Sequence, residues 1–325
     1  MKELFSRLAG GRPSPIARRE TVQRIGDYTI VRKIGSGGTS DVYLGLHLDS
    51  MAAVAIKQLD LRCSATSHKE MFIAESMMRG RVDHPNIVSI YDADLDEPEG
   101  SYLVMEYVNG SSLDRFESRD ALLPVETVID VMRQTAEALR YLSIENIIHR
   151  DIKPGNIILR TDGRVKLADF GCVLINSYPT ASLRVAGSLP YMSPEQIEGR
   201  PLSHLSDMYS LGAVFYQLLT GRHPVASDEG QTPQQYAHKI LRTHPAPIRE
   251  YRQDVSCGIM RVVDRMLQKK PENRFDSWNT LLHELYRASA ERYADSEEFA
   301  MQWQSIEIRE REKPTTHEFN LSFGF

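Results

Sequence analysis

Residues 147–159 read IIHRDIKPGNIIL, which sets His149, Arg150, Asp151, Lys153 and Asn156 in one short loop between two runs of isoleucine and leucine. The apolar flanks drive this loop towards a core, and burying charged or hydrogen-bonding groups is costly unless each finds a partner. The fold must therefore bring those partners in from distant segments. That requirement makes the loop the first candidate site. Asp151 can accept a proton from an attacking hydroxyl, Lys153 can neutralise phosphate charge, and Asn156 can give an oxygen to a metal ion. Eighteen residues after Asp151, VKLADFG sets Asp169 beside Gly171 at the end of a strand-like run, a second metal-binding carboxylate.

The chain on either side of this loop changes character. From Tyr28 to Tyr107 the apolar segments YTIVRKI, DVYLGL, AAVAIKQL, IVSIYDA and SYLVMEYV are short, rich in Val, Ile and Tyr, and broken by Gly, Asp or Pro, so they predict strands. One helix is expected among them, at about His68 to Val82. After Gly110 helical periodicity takes over. In PVETVIDVMRQTAEALRYL, Pro124 suits a first helical turn, and Val125, Val128, Ile129, Met132, Ala136, Leu139 and Leu142 form one stripe. DMYSLGAVFYQLLTG, from Asp207, is apolar on almost every face and stops at Gly221, which predicts a buried helix. Further helices are expected near 232–242, 257–268 and 276–287. A small strand-rich lobe thus precedes a larger helical one, and 325 residues with 41% hydrophobic content suffice for a core in each.

Two more motifs lie in the first lobe. IGSGGTSDVYLG places Ile34, Gly35, Ser36, Gly37 and Gly38 between two strands, where missing side chains let backbone N–H groups approach phosphate oxygens. A ligand-free hairpin turn has the same look, and Ser40 stands where the usual spacing has a third glycine. A dinucleotide-binding reading fits poorly, because a strand follows where that fold needs a helix. Lys57 ends the strand VAIK; an ordinary edge-strand lysine is the plain alternative. Glu75, on the expected helix, can pair with it and aim its ammonium group at an anionic ligand.

In this order and spacing, HRDIKPGN, DFG, VAIK and the glycine hairpin resemble the eukaryotic-type (Hanks-type) serine/threonine protein kinases, and in particular their bacterial branch. The resemblance covers about Asp27 to Tyr286. It implies an α+β, bilobal fold: a small antiparallel-sheet N-lobe with one helix (27–107) and a larger, mainly helical C-lobe (111–286). It further implies ATP, with Mg2+ or Mn2+, and transfer of the γ-phosphoryl group to Ser or Thr hydroxyls of protein substrates. Lys57 would hold the α and β phosphates, Glu75 would hold Lys57, Asp151 would be the catalytic base, Lys153 would contact the γ phosphate, and Asn156 and Asp169 would bind the metal. YLVMEYVNG resembles the linker between lobes. Backbone groups of Glu106 and Val108 would then meet the adenine edge, Val42, Ala55 and Ile158 would cover its faces, and Met105 would close the rear. Ordinary core packing describes these apolar residues equally well.

Downstream, SLPYMSPE at Ser188–Glu195 resembles the family segment ending in APE, with Glu195 expected to pair with Arg274 as a structural ion pair and Asp207 to anchor the loop backbone. Lys153 two residues after Asp151 is the serine/threonine pattern, and Ser188 takes the place of a threonine that contacts the catalytic aspartate. Ser112 and Gly155 stand where base-directed relatives carry acids, so no strong demand for upstream arginine is expected. Arg150 before the aspartate implies a phosphate on the activation segment, with Ser177, Thr180 and Ser182 as candidates. One departure is Arg79, four residues beyond Glu75, where relatives place an apolar residue; Met78 is the available substitute.

The remaining features set limits. A net charge of −5 gives no reason to expect a nucleic-acid partner and favours small-molecule and protein partners. Cys63, Cys172 and Cys257 form neither a CxxC pair nor a zinc spacing, which fits a reducing compartment. No apolar run reaches the roughly 18 residues of a membrane span, and the N-terminus lacks the apolar centre of a signal peptide, so a cytoplasmic location without a membrane partner is expected. Residues 1–26, with Arg7, Arg12, Arg18, Arg19 and Arg24, read as a basic flexible leader. Residues 287–325 read as a charged tail whose aromatic ending suits docking on the kinase or on a partner. A pseudokinase scaffold would share this fold, yet Lys57, Asp151, Asn156 and Asp169 are all present. A small-molecule kinase would lack the pairing of KPGN with the SPE segment and Arg274.

Overall fold

Along AVAIKQL, Val54 and Ile56 alternate with Ala55, Lys57 and Leu59, and this two-residue period decides which groups face which side of a sheet. The computed structural model describes residues 23–37, 40–59, 66–95, 101–175 and 187–293. Within them β1 (Arg24–Ile25), β2 (Tyr28–Ser36), β3 (Ser40–His47), β4 (Ala53–Leu59), β5 (Ile90–Asp94) and β6 (Tyr102–Glu106) form one antiparallel sheet in the order β1-β2-β3-β4-β6-β5. On one face Val54 and Ile56 pack with Ile25, Tyr28, Tyr102 and Val104. On the other, Leu59 meets Leu103 and Phe72 of α1 (Thr66–Ser76), so Lys57 shares the face that α1 covers. Arg24 and Ile25, expected in the leader, belong to the sheet instead: they pair with Thr29 and Tyr28, and Ile25 is buried, which repays ordering the short strand. The rest of the expected leader that lies before residue 23, and the tail beyond residue 293, fall outside the described residues.

The second half holds β7 (Gly110–Ser112), α2 (Val125–Ile144), β8 (Ile147–Ile148), β9 (Ile157–Arg160), β10 (Val165–Leu167), β11 (Leu174–Ile175), α3 (Pro194–Ile197), α4 (His204–Thr220), α5 (Pro233–Arg242), α6 (Cys257–Met266) and α7 (Trp278–Tyr293). The α2 stripe is buried as expected, with Ile129 half-buried at its margin. Pro124 stands one position earlier than expected, in an extended conformation at the N-cap. Helix α4 starts at His204 because Ser203 and Ser206 close a reciprocal capping box, and it is buried from Ser206 through Thr220. Gly221 ends it at φ 69°, where an added Cβ would meet the Arg119 backbone nitrogen at 2.9 Å. Around α4, helices α2, α6 and α7 share one apolar core.

Short strands position the polar loop. Ile147 and Ile148 in β8 pair with β11, and β9 pairs with both β10 and β7, so the apolar flanks are stitched down and the residues between them are held at the surface of the core. The halves join where Leu167 accepts from the Val88 N–H at 2.9 Å and donates to the Asn86 carbonyl at 2.8 Å. Among the described residues no helix is long and apolar enough to cross a membrane.

Arg274 is the largest fully buried side chain, and all five of its N–H groups are used. Nη1 donates to Glu195 Oε1 at 2.7 Å and to the Leu205 carbonyl at 2.7 Å; Nη2 donates to Glu195 Oε2 at 2.9 Å and to the Lys269 carbonyl at 3.2 Å; Nε donates to the Gln268 carbonyl at 2.8 Å. Burial alone would raise the Glu195 pKa, but the Arg274 guanidinium outweighs it and holds the carboxyl below its ordinary range. A depressed folded pKa means that this stabilisation is present above the ordinary carboxyl range and is lost as the pH falls through the lower folded value. Removing one partner of such a pair strands the other in a dry site. Arg274→Ala is expected to cost about 3–5 kcal/mol in urea unfolding. Arg287→Ala, which removes the exposed partner of Glu284, is expected to cost about 0.5 kcal/mol or less. Equal effects of the two would contradict this assignment.

Candidate active site

The parity of β4 points the Lys57 ammonium at α1, where Glu75 Oε2 meets it at 2.6 Å, and Asp169 Oδ1 approaches from the C-lobe side at 2.8 Å. Burial opposes the charge on Lys57, but the two carboxylates outweigh it and hold its pKa up. Asp169 is depressed for the reciprocal reason: burial opposes its charge, and Lys57 outweighs burial. It follows β10 at φ 66°, a left-handed conformation that a non-glycine residue adopts only where the surroundings impose it.

Glu75 reaches this position although α1 is shorter than expected. The helix, expected to run to about Val82, stops at Ser76 and tightens, with Met78 N–H donating to the Glu75 carbonyl at 3.0 Å and Arg79 N–H to that of Ser76 at 3.1 Å. Such i to i−3 bonds wind three residues per turn rather than 3.6, which turns the following side chains relative to the helix above. Met78 enters the core cluster that contains Phe170, and Arg79 swings outward to pair with Asp92 at 2.7 Å. Asp92 follows an irregularity in β5 between Ile90 and Asp92, a feature that re-aims side chains. Met78 thus takes the core position and Arg79 stays at the surface.

The partners that the polar loop requires come from α4, from the stretch after β10, from Ser188 and from the loop itself. Asp207 of α4 accepts the backbone N–H groups of His149 at 2.8 Å and Arg150 at 2.9 Å. The His149 ring lies 5.2 Å from that of Phe170. Arg150, at φ 67°, turns its guanidinium to the carbonyl of Cys172. Asp151 Oδ1 accepts from the Ser188 N–H at 2.8 Å, and Oδ2 accepts from Lys153 Nζ at 2.7 Å and Asn156 Nδ2 at 3.2 Å. Asn156 Nδ2 also donates to the Asp151 carbonyl at 2.8 Å, which leaves its amide oxygen for another group.

A cleft of about 500 Å³ lies between the lobes, within the range of small-molecule sites. Ile34, Val42, Ala55 and Ile158 give it apolar walls, Met105, Glu106 and Val108 line the linker side, and Ser36 and Gly37 come from the glycine hairpin. Lys57, Glu75, Asp169 and Lys153 line it as well, so the charged groups and the apolar walls share one space. Asp151 and Asn156 join through Lys153 rather than forming the wall. Gly35 pairs with Val42 and is not on the wall, and Gly38 lies outside the described residues, as do Ser177, Thr180, Ser182 and Cys63. Ser40, in place of the third glycine, is buried and lines the cleft.

Sequence reasoning missed Val88, Tyr107, Ala168 and Cys172 on the wall, and it missed Lys166. That lysine, in β10, donates to Glu106 Oε2 at 2.6 Å and to the Ile87 carbonyl at 3.1 Å, tying the linker to the C-lobe. Its only signal was alternation, since Val165 and Leu167 face the core and Lys166 must face away from them. The Glu106 N–H is committed to the Ser89 carbonyl at 2.9 Å, so a ligand meeting Glu106 must use its carbonyl.

Among the described residues no group of three or more His, Cys, Asp or Glu side chains assembles that could hold a metal on its own. One carboxylate and one amide oxygen suit a hard divalent cation that takes its other ligands from water and phosphate. The donor set therefore fits a cation that arrives with a nucleotide.

The residues from 28 to 286 match the family model described as the protein kinase domain. The chain is 34% identical over 292 residues to a probable serine/threonine-protein kinase of Clostridium acetobutylicum, covering 88% of this chain and 44% of that protein. It is 38% identical over 278 residues to the serine/threonine-protein kinase Pkn1 of Myxococcus xanthus (82% and 39%), and 34% identical over 256 residues to PrkC of Bacillus subtilis (78% and 39%). The chain therefore spans less than half the length of these relatives. ATP and a divalent cation are the general requirements of this family, and the architecture above is its two-lobed α+β fold. The chain belongs to the protein kinase family.

Proposed function

We propose that the chain is a serine/threonine protein kinase that moves the γ-phosphoryl group of ATP to Ser or Thr hydroxyls of other proteins. The observation that carries this reading is Asp151, whose carboxylate is aimed by Ser188, Lys153 and Asn156 beside a cleft where Lys57 and Asp169 converge. Three relatives named as serine/threonine-protein kinases support the substrate class. Lys153, two residues after Asp151, fits it too.

In this reading the apolar walls and the linker take the adenine, and Lys57 meets the α and β phosphates. Asn156 and Asp169 hold magnesium or manganese, which supplies charge neutralisation on the phosphates. Asp151 orients the incoming hydroxyl and accepts its proton as the new P–O bond forms and the bond to the ADP oxygen breaks. Lys153 neutralises charge on the transferred group. Positioning and electrostatics rather than covalent participation supply the rate. In this reading the protein works in the cytoplasm, where ATP is available, and its partners are protein substrates. Arg150 beside the activation segment supports self-phosphorylation at Ser177, Thr180 or Ser182.

Incubating the purified chain with labelled ATP, magnesium and a basic protein mixture is expected to label Ser and Thr, and mass spectrometry is expected to find phosphate on the activation segment. Asp151→Ala and Lys57→Met are expected to stay folded, with transfer reduced by about 10²-fold or more. Near wild-type transfer by either variant, or labelling of sugars alone, would contradict the reading.

A further inference from the structure

Arg150 adopts φ 67°, and such a conformation costs of order 1–3 kcal/mol and persists only when its surroundings over-determine it. Both of its peptide groups are held. Asp207 takes the N–H at 2.9 Å, and the carbonyl accepts from Gln196 Nε2 at 2.7 Å. That carbonyl begins the peptide link to Asp151, so whatever fixes it fixes the direction in which the Asp151 carboxylate leaves the backbone.

Gln196 is 4% exposed and its side-chain amide is used at both ends. Its oxygen accepts from the Ser193 N–H at 3.3 Å, closing a capping box at the start of α3, while its nitrogen reaches Arg150. Gly187 shares the same crowded spot. At φ 114° it is a position for glycine, and an added Cβ there would stand 2.5 Å from the Arg150 carbonyl oxygen and 3.2 Å from Gln196 Nε2. The next residue, Ser188, gives its N–H to Asp151. Residues 187–196 therefore grip the loop twice, at the carbonyl before Asp151 and at the carboxylate itself.

We propose that Gln196 is a positioning residue for phosphoryl transfer: its side-chain N–H holds the Arg150 carbonyl, and through it the aim of Asp151. This deepens the kinase reading and rests on it. A capping box accepts Glu as readily as Gln, because it needs only an oxygen. Gln196→Glu therefore keeps an oxygen for the α3 cap and replaces the donor to the Arg150 carbonyl with a carboxylate oxygen that repels it. Protonating that carboxyl restores a donor.

The expected result for Gln196→Glu is a kcat lower by about tenfold to a hundredfold at neutral pH, the range set by losing a buried hydrogen bond. KM for ATP is expected to stay within about twofold, because Lys57 and the linker are untouched. The ratio of variant to wild-type kcat is expected to rise as the pH is lowered towards about 5, where a buried carboxyl begins to take up its proton. Gln196→Leu, which has no donor at any pH, is expected to show a low ratio that stays flat. Taking ratios to wild type at each pH removes the pH dependence that the three proteins share. A Gln196→Glu kcat within about twofold of wild type overturns the proposal, as does a loss whose ratio is flat with pH or one expressed in KM for ATP. Asp151→Ala in the same assay separates the two ideas: if it is inactive while Gln196→Glu is normal, the kinase reading stands and the role of Gln196 falls.

Discussion

The Lys57 ammonium group sits between two carboxylates, at 2.6 Å from Glu75 and 2.8 Å from Asp169, and the rest of the molecule is arranged to make that meeting possible. Its three members come from a strand, a helix and a loop of the other lobe, up to 112 positions apart along the chain. An ammonium in such a place is stable only because opposite charges outweigh its burial. One cation and two anions leave a site whose balance a nucleotide's phosphates and a divalent cation can complete. The sheet order, the packing of α1 on β4 and the bridge from Leu167 to Asn86 and Val88 all serve to hold this point in space.

A second set of constraints holds the loop that carries Asp151. Two non-glycine residues near the site, Arg150 and Asp169, adopt left-handed backbone conformations. Each is held by groups from elsewhere: Arg150 by Asp207 and Gln196, Asp169 by Lys57. Strain of this kind needs a stiff support, and α4 provides it, buried along nearly its whole length and locked to the SPE segment through Glu195, Ser206 and Arg274. The Glu195–Arg274 ion pair and the loop that carries Asp151 are thus parts of one scaffold, with α4 between them.

Strand periodicity, the stripe of α2 and the all-round apolarity of α4 were legible in the sequence because each obeys a local repeat. The pairing of Lys57 with Glu75 was offered by the place of Glu75 on the expected helix, whereas that of Glu195 with Arg274 was legible only through the family resemblance, since no local pattern joins residues 79 positions apart. What escaped depended on tertiary context. Met78 was the substitute the sequence offered for Arg79 in the core, but the early end of α1 that accompanies the exchange was not announced by helix propensity. Lys166 drew no expectation until the linker supplied Glu106, and Ile25 read as part of the basic leader until Tyr28 and Tyr102 closed over it. Gln196 carried no signal at all beyond its place in a capping box.

The central claim is that residues far apart along the chain form one site for a nucleotide and its cation. Calorimetric titration of ATP into the protein, with and without magnesium, tests it most directly when repeated on Asp169→Asn. The account predicts that magnesium tightens ATP binding to the wild-type chain by about tenfold or more and that this dependence is largely lost in the variant, with both proteins folded at the temperature of the titration. An equal magnesium dependence in the two proteins would contradict it.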